Sequence, residues 1–284
     1  MPRSAPVRLD IDRVVATLRR AGCVYAEDEA ELLVAAATSA ASSVAPSEVA
    51  APSAAGELAR MLAQRVAGMP LEHILGWAEF CGLRIAVGPG VFVPRRRTEF
   101  LAARAIALVR EAGPGALVVD LCCGAGAVAA AVVAAEPSVE VHAADIDPVA
   151  VDYARRNLPG RADCVHVGDL VAPLPAALHG RIDVITANTP YVPTREIDLL
   201  PAEARLYEPR TALDGGDDGL DLHRRLAAEA SPWLAPGGHV LVEASEEQAP
   251  VTARLFAAAG LAARVVTAPE LAATVVIGGR VRVP

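Results

Sequence analysis

Residues 118–129 read V-V-D-L-C-C-G-A-G-A-V-A. The apolar residues at the start predict a buried strand, and the small residues after the turn predict a helix. Gly124 and Gly126 lie in the turn, where glycine lets backbone N–H groups approach a ligand closely. Together with Ala129 they match the loose dinucleotide-binding pattern, although small residues in such a turn also occur for structural reasons alone. The stretch therefore predicts a strand–turn–helix unit and leaves its ligand open.

The sequence after this unit continues to alternate between strand and helix patterns. Such alternation predicts an α/β fold with a mostly parallel, seven-stranded sheet and helices on both faces. Ligands of such sheets bind at the carboxyl ends of the strands, so the residues that follow each strand are the candidates for a site. The predicted strands are 116–120, 140–145, 164–168, 182–187, 239–244, 263–267 and 274–278, and the predicted helices are 124–135, 148–157, 220–230 and 247–259.

The first 75 residues differ from the rest because their patterns are helical throughout. A β-rich stretch around Gly88-Pro89-Gly90 follows and predicts a hairpin. We therefore expect a helical domain at 1–75 that carries or binds something, a β-hairpin linker at 76–98 and an α/β domain at 99–284. The expected helices run from an N-cap at Asp10 to Arg20, from Glu27 to Ser39 and from Glu57 to Val66, with a loop from Ser42 to Ala55.

Composition excludes several functional classes. The chain has 284 residues and a net charge of −8, which argues against broad nucleic-acid binding. Its five cysteines include no C-x-x-C pair, so we expect a reducing cytoplasm, with no disulfide framework and no zinc site. No ligand cluster for another metal is evident either. The longest run of small apolar residues, Ala125 to Ala135, is too short to span a bilayer.

Three aspartates follow successive predicted strands. Asp120 would repel a pyrophosphate but suits a cation such as S-adenosylmethionine, which carries a sulfonium and an amine and no phosphate. Asp145 lies 21 residues after Gly124, near the spacing expected of a carboxylate that binds ribose hydroxyls. Asp169 is a candidate acceptor for an adenine amino group. One such aspartate is more often a helix cap, but three at successive strand ends are expected to face one crevice.

The fourth predicted strand runs into I-T-A-N-T-P-Y-V-P at residues 185–193. Asn and Pro end strands in many proteins, so a simple turn explains this stretch when it is taken alone. An amide, a turn and an aromatic ring at a strand end also suit a site that grips one planar N–H group. Because three acidic strand ends precede it in order, the second interpretation is favoured.

With these strand ends, the chain resembles the class I methyltransferases, and most of all the protein-(glutamine-N5) methyltransferases that modify peptide-chain release factors. The resemblance covers roughly residues 70 to 280. The helical N-terminus fits the substrate-recruiting domain of that family by position and length. The motifs that carry the resemblance are P-L-E-H-I-L-G, E-F-C-G-L, P-G-V-F-V-P-R-R-R-T-E, N-T-P-Y-V-P, Y-E-P-R-T-A-L-D-G-G-D-D-G-L-D and P-G-G-H-V-L-V-E.

Three positions depart from the family pattern. Thr189 stands for the first Pro of Asn-Pro-Pro-Tyr, and Cys122 stands for the first Gly of Gly-x-Gly-x-Gly. Arg95-Arg96-Arg97-Thr98-Glu99 replaces Arg-Pro-acidic-Thr-Glu. These changes leave open an acceptor other than a release factor. The three arginines are either a solvated charge run or a surface that steers an acidic partner.

The resemblance implies S-adenosylmethionine as the cofactor, S-adenosylhomocysteine as the product and a protein glutamine as the acceptor. Asn188 Oδ1 and the Thr189 carbonyl would accept hydrogen bonds from the acceptor amide, and Tyr191 would stack on it. The implied catalytic residues are Asn188, Thr189, Pro190 and Tyr191. The implied cofactor-binding residues are Thr98, Asp120, Cys122, Gly124, Gly126, Asp145, Ile146, Asp169, Leu170 and Asn188. The implied substrate-binding residues are Asn188, Tyr191, Glu208 and Pro209, of which the last two would alternatively anchor a loop.

Three rival functions remain. The first is N-methylation of another planar amine, such as adenine in DNA or a small metabolite. The second is a non-catalytic paralogue that binds the cofactor or a partner, for which Cys122 and Thr189 are the support. A nicotinamide-dependent dehydrogenase is the third, and Asp120 argues against it. The sequence leaves the oligomeric state open.

Overall fold

The computed structural model describes residues 10–43 and 53–281. They form two compact units, one comprising the chain up to Gly76 together with Ala202–Tyr207, and the other Trp77–Pro201 together with the chain from Glu208 onward. The helices described are α1 Ile11–Arg20, α2 Ala26–Ser43, α3 Ala54–Val66, α4 Leu71–Leu75, α5 Glu99–Ala112, α6 Ala127–Ala135, α7 Pro148–Asn157, α8 Ala202–Tyr207, α9 Asp221–Ala230 and α10 Ala249–Ala258. The strands are β1 Trp77–Phe80, β2 Leu83–Ala86, β3 Leu117–Leu121, β4 Glu140–Asp145, β5 Val165–Val167, β6 Ile182–Ala187, β7 Leu234–Glu243, β8 Leu261–Ala268 and β9 Ala273–Arg280.

The first unit is helical and has its own apolar core. Asp10 caps α1 by accepting from the backbone N–H of Arg13, and Leu18 of α1 packs with Leu33 of α2 and Leu58 of α3. The predicted loop from Ser42 to Ala55 is too long at both ends, because α2 extends to Ser43 and α3 begins at Ala54. The rest of that loop, residues 44–52, lies outside the described residues.

Helix α8 belongs to this helical unit although it lies more than a hundred residues later in the chain. Tyr207 donates a hydrogen bond from its hydroxyl to the carbonyl of Ala67 at 2.9 Å. Arg65 forms an ion pair with Glu203 of α8 and another with Glu29 of α2. The domain limits predicted from the sequence do not include this exchange, because it depends on contacts between residues 138 and 140 positions apart.

The hairpin is present, but its turn lies earlier than predicted. Strands β1 and β2 pair antiparallel, and the turn between them is Cys81–Gly82, where both residues have positive φ as a tight hairpin turn requires. Gly88-Pro89-Gly90 follows β2 and no strand follows it directly, so its assignment as the hairpin turn is wrong. The three residues form a separate β-turn, in which the Val91 N–H donates to the Gly88 carbonyl at 3.2 Å and Gly90 has a φ of 86°.

The seven-stranded sheet confirms the predicted fold class. Its order is β5-β4-β3-β6-β7-β9-β8, with parallel pairing from β5 to β7 and antiparallel pairing of β9 with both β7 and β8. One face packs against α5, α6 and α7, and the other against α9 and α10. Helix α5 is missing from the predicted set, although Leu101, Ala105 and Leu108 are buried at helical spacing.

The strand order brings the candidate residues together. Leu121 of β3 pairs with Ala144 of β4 on one side and with Ala187 of β6 on the other. Ala187 pairs in turn with Val242 of β7. The residues that follow these four strands therefore meet at one edge of the sheet. No helix within the described ranges is long and apolar enough to cross a lipid bilayer.

Candidate active site

The glycine turn after β3 has the left-handed backbone that its composition predicts. Cys122, Gly124 and Gly126 have φ values of 52°, 53° and 74°. A Cβ on Gly126 would lie 3.1 Å from the Cβ of Ala154 in α7, so glycine is needed there for both conformation and space. Cys122 adopts a conformation that costs a non-glycine residue about 1–2 kcal/mol. The family pattern has glycine at this position, so the departure places strain in the turn.

Asp145 ties this turn to the end of β4. Its Oδ2 accepts from the backbone N–H of Gly124 at 2.8 Å, and its Oδ1 accepts from that of Asp147 at 2.9 Å. Burial raises the pKa of Asp145, although these backbone donors oppose the rise. Each carboxylate oxygen can still accept a second hydrogen bond. Ile146, which follows it, is 59% exposed and offers an apolar surface beside this carboxylate.

Asp120 is placed differently from the prediction. It is only 2% exposed, and its two oxygens accept from the Thr186 hydroxyl at 2.7 Å and from the Ala129 backbone N–H at 3.2 Å. The prediction that the three aspartates face one crevice did not include this burial, which leaves Asp120 almost no exposed surface. Burial raises its pKa to about 7, so a nearby positive charge would increase the fraction of Asp120 that is ionised at neutral pH. Thr186 was not anticipated, because it lies inside β6 with no exposed surface.

Asp169 and Leu170 follow β5. The Asp169 carboxylate accepts from Arg225 of α9 at 3.0 Å, and both side chains of this ion pair are nearly half exposed. Leu170 is buried and has a φ of 45°, so this position is also conformationally strained. The Arg225 contact has no signal in the local sequence, since 56 residues separate the partners.

The charge around the turn fits a cationic cofactor. Burial is the main cause of the raised pKa of the Cys122 thiol, the charges of Asp145, Asp120 and Asp169 raise it further, and the charge of Arg225 partly opposes them. All three carboxylates therefore act on the same point of the turn. A negative field of this kind favours a sulfonium or an amine and opposes a phosphate. The residues present thus fit S-adenosylmethionine better than a dinucleotide.

Asn188 and Thr189 follow β6 directly. The Asn188 amide nitrogen donates to the Thr98 hydroxyl at 3.3 Å, which fixes the direction of the side chain. Within the described ranges, neither Asn188 Oδ1 nor the Thr189 carbonyl accepts a hydrogen bond. The Thr189 hydroxyl is buried without a partner, and Pro190 is buried next to it. The Thr189 side chain therefore makes no hydrogen bond to the described residues that a proline would lose.

Tyr191 is held at both ends. Its hydroxyl accepts from Arg97, and Arg97 also donates from Nε to Oε1 of Glu243 at 3.1 Å. Its carbonyl accepts from the side-chain amide of Gln248 at 2.9 Å. Burial raises the pKa of Tyr191 and the Glu243 charge adds to the rise, whereas Arg97 lowers it.

The part of the motif Y-E-P-R-T-A-L-D-G-G-D-D-G-L-D that lies in the second unit, residues 208–221, packs on the loop that contains Tyr191. Val192 exchanges backbone hydrogen bonds with Leu213 and Gly215 at 3.0 and 2.9 Å. A Cβ on Gly219 would lie 2.1 Å from the Tyr191 carbonyl oxygen, so glycine is required for this approach. The stretch therefore acts as the outer support of the loop after β6.

Glu208 anchors a loop, which is one of its two predicted roles. It is 6% exposed and accepts from the Arg95 guanidinium at 2.6 Å and from the Val93 backbone N–H at 3.1 Å. Glu99 likewise accepts from the backbone N–H of Cys81 at 3.0 Å. The ion pair holds the Arg95 side chain against the loop that contains Glu208. The three arginines therefore do not form one free basic patch, since Arg97 is paired as well.

Glu243 and Gln248 were missed by the sequence reasoning. Glu243 ends the quoted motif P-G-G-H-V-L-V-E, and a carboxylate at the end of a buried strand is the signal that identified the aspartates. Gln248 stands near the start of α10, where a polar residue resembles an ordinary cap. Only the fold shows that both face the loop after β6.

Comparison with known proteins agrees with this arrangement. Residues 83–217 match the family model described as Methyltransferase small domain, and residues 11–76 match the one described as PrmC N-terminal domain. The release factor glutamine methyltransferase of Geobacter sulfurreducens is 36% identical over 78% of this chain and 76% of its own length. That of Streptomyces coelicolor is 41% identical over 66% of this chain and 67% of its own length. The chain belongs to the release factor glutamine methyltransferase family.

Membership of this family makes the chain an S-adenosylmethionine-dependent methyltransferase. A solved protein-(glutamine-N5) methyltransferase from Alicyclobacillus acidocaldarius is 29% identical and aligns over 69% of this chain and 98% of its own. Its TM-score of 0.42 is too low to add to the assignment.

Proposed function

We propose that this member of the release factor glutamine methyltransferase family methylates the side-chain amide nitrogen of a glutamine in a peptide-chain release factor. The names of its relatives support this acceptor. The observation that carries the proposal is the orientation of Asn188, whose amide nitrogen is held by Thr98 at 3.3 Å. This contact leaves the amide oxygen available as an acceptor beside the Thr189 carbonyl.

Two acceptors at this point suit an amide NH₂ group. The lone pair of an amide nitrogen is delocalised into its carbonyl, which makes the nitrogen a weak nucleophile. Asn188 Oδ1 accepts one N–H and the Thr189 carbonyl accepts the other, so electron density moves toward nitrogen. Because the second acceptor belongs to the backbone, Thr in place of Pro at 189 leaves the chemistry unchanged.

Tyr191 and Pro190 complete the acceptor side. The Tyr191 ring stacks on the planar amide and excludes water. Orientation of two reacting groups contributes up to about 7–11 kcal/mol to catalysis. The rigid support of this loop by Gln248 and Gly219 is consistent with catalysis by orientation. Glu208 and Pro209 support the acceptor side as loop anchors.

The turn after β3 and the ends of β4 and β5 hold the cofactor. S-adenosylmethionine would supply an electrophilic methyl group: the N–C bond would form as the S–C bond breaks, S-adenosylhomocysteine would leave with the bonding electron pair, and the nitrogen would lose one proton to solvent afterwards. Asp145 binds ribose hydroxyls through its remaining lone pairs, and Ile146 covers the base. Asp120 and Asp169 contribute negative charge, and the backbone of the turn lies against the ligand. The further contacts proposed are Thr98, Cys122, Gly124, Gly126, Leu170 and Asn188.

The proposal also covers the cellular compartment and the role of the helical domain. All five cysteines are free, which is consistent with a reducing cytoplasm. The helical domain, with limits at 1–75, recruits the acceptor protein, and the linker 76–98 joins it to the methyltransferase domain. Removal of residues 1–75 is then expected to raise KM for a release factor more than KM for a short peptide.

Labelled cofactor tests the acceptor directly. The full chain is incubated with S-adenosylmethionine labelled in the methyl group and with a release factor, duplex DNA or small planar amines. Mass spectrometry is expected to find one added methyl group on a glutamine side chain of the release factor. A release factor with Asn in place of that glutamine is the matched control. Transfer to DNA or an amine instead would overturn the proposal, as would tight cofactor binding without transfer to any acceptor.

A further inference from the structure

One short turn holds both side chains that the proposed mechanism places against the acceptor. The turn is Arg96–Thr98, directly before α5. Thr98 accepts from the Asn188 amide, and its neighbour Arg97 donates to the Tyr191 hydroxyl. Since both contacts come from consecutive residues, the orientation of Asn188 and that of Tyr191 are set by the same piece of backbone.

Arg97 is itself held by a buried carboxylate. The Glu243 side chain is 3% exposed at the end of β7, and its Oε1 accepts from Arg97 Nε at 3.1 Å. Its Oε2 is buried and accepts no hydrogen bond from the described part of the chain. Removing Arg97 would leave this buried carboxylate without its partner, although Arg97 itself is only half-buried. Glu243 is therefore the fixed end of the ion pair.

The guanidinium spans two partners at once. Nε is directed to Glu243 and Nη2 to the Tyr191 hydroxyl, and the guanidinium carbon lies 5.7 Å from the centre of the Tyr191 ring. A planar fork can make both contacts, whereas a lysine ammonium is a single point charge. The contacts therefore use a property of arginine beyond its charge.

We propose that Arg97 is a positioning residue that orients the Tyr191 ring for the acceptor, with Glu243 as its buried counter-ion. The proposal rests on the proposed function, because Tyr191 is assigned to the acceptor there. Gln248 fixes the backbone of Tyr191, so the direction of the phenol is the freedom that Arg97 controls. We call the contacts that join Glu243 to Arg97 and Arg97 to Tyr191 the bridge. The Arg97 side chain is 43% exposed, so the bridge lies at the surface of the site and not within the core.

The bridge depends on a residue that departs from the family pattern. The family motif quoted above has an acidic residue at the position of Arg97, and an acidic side chain there would face Glu243 with the same charge. Arg97→Glu is therefore expected to be more damaging here than the neutral Arg97→Gln. Arg97→Lys keeps the positive charge and should therefore retain more activity than Arg97→Gln.

Steady-state kinetics and cofactor binding are the first measurement. Arg97→Gln is expected to lower kcat/KM for the acceptor about 10- to 100-fold, since a small misplacement in a site has effects of that size. The dissociation constant of S-adenosylmethionine should stay within about twofold of the wild type. The matched control is Arg96→Gln, because Arg96 lies in the same turn, is exposed and forms no described ion pair or side-chain hydrogen bond. Its kinetics should equal those of the wild type.

A double-mutant cycle shows whether Arg97 acts through the phenol. If it does, Arg97→Gln in a Tyr191→Phe background should cause little further loss, because the partner hydroxyl is already absent. Full additivity of the two losses would overturn the proposal. Where Arg97→Gln folds poorly because Glu243 is stranded, Arg97→Gln combined with Glu243→Gln removes both charges and serves in its place.

Titration of the phenol needs no acceptor and so separates this proposal from the proposed function. Arg97 lowers the pKa of Tyr191, and Arg97→Gln should therefore raise it further while Arg96→Gln should not. The ultraviolet difference against Tyr191→Phe isolates this group among the four tyrosines. An unchanged Tyr191 titration in Arg97→Gln would overturn the bridge, whatever the acceptor proves to be. A wild type that titrates as expected but methylates no glutamine would instead overturn the proposed function.

Discussion

The two edges of the site are held in different ways. The cofactor edge, defined as Cys122–Gly126, Asp145 and Asp169, rests mainly on backbone groups, such as the N–H groups of Gly124 and Asp147, which lie 21 and 2 positions from Asp145. The acceptor edge, defined as Asn188–Tyr191 and Glu243, rests on side chains that are 57 to 146 positions apart. The Asp169–Arg225 ion pair is an exception on the first edge.

This difference indicates where each edge is sensitive to substitution. The cofactor edge should depend on backbone conformation, so changes that demand a different φ should matter more than changes of side-chain chemistry. The acceptor edge should depend on side-chain hydrogen bonds, so losing one donor or acceptor should matter even where the backbone is unchanged. Four predictions test this contrast, and their expected effects decrease in order.

Asn188→Ala should have the largest effect. Removing the amide oxygen deletes one of two acceptors for the reacting N–H group, and we expect a loss of at least about 100-fold in kcat, as for comparable site hydrogen bonds. The dissociation constant of the cofactor should change little. Single-turnover kinetics with labelled cofactor, together with calorimetry, measure both. Turnover near the wild-type rate would show that the mechanism is wrong.

Cys122 provides a matched pair on the cofactor edge. With a φ of 52°, a β-branched residue is strained there, so Cys122→Val should destabilise the fold by about 1–2 kcal/mol. Cys122→Gly relieves the strain and should leave cofactor binding intact. Urea unfolding and cofactor titration compare the two variants. Equal stability of the two would contradict a role for backbone conformation at this position.

Cofactor binding should release a proton near neutral pH. Because burial raises the pKa of Asp120 to about 7, roughly half of the molecules are protonated there at pH 7. A bound sulfonium favours the carboxylate, so affinity should increase as pH rises through 7 and level off above it. Calorimetry in two buffers of different ionisation enthalpy should detect up to about half a proton at pH 7 and almost none at pH 9.

S-adenosylhomocysteine is the control ligand for this linkage, since it has no sulfonium charge and should release less. Equal proton release by the two ligands would show that the sulfonium does not act on Asp120.

Thr189→Val should have the smallest effect. The Thr189 hydroxyl is buried without a partner, and the proposed mechanism uses only the backbone carbonyl of this residue. We expect kcat within about twofold of the wild type and stability equal or higher by up to about 1 kcal/mol, because an unsatisfied buried polar group is removed. Thr189→Pro, which introduces the residue of the family pattern, should likewise keep kcat within about twofold of the wild type. A large loss of kcat in Thr189→Val alone would assign the hydroxyl a role in the reaction.

The sequence by itself determined the mostly parallel sheet, the strands that the candidate residues follow, and the candidates Asp145 and Asn188. These follow from local periodicity and from the rule that ligands bind at the carboxyl ends of parallel strands. It also carried the family resemblance through contiguous motifs. Its error at Gly88-Pro89-Gly90 was to take a β-turn for a hairpin turn. The turn is present, with Gly90 at a φ of 86° and the Val91 N–H donating to the Gly88 carbonyl at 3.2 Å, but no strand follows it to pair with β2.

The tertiary structure alone decided which carboxylates are open and which are committed. Asp120 is buried against Thr186, Asp169 is paired with Arg225, and Glu208 is paired with Arg95. It also decided that Arg97, Glu243 and Gln248 support Tyr191. Each of these contacts joins residues more than 50 positions apart, and local patterns contain no information about which distant side chain fills a given hydrogen bond.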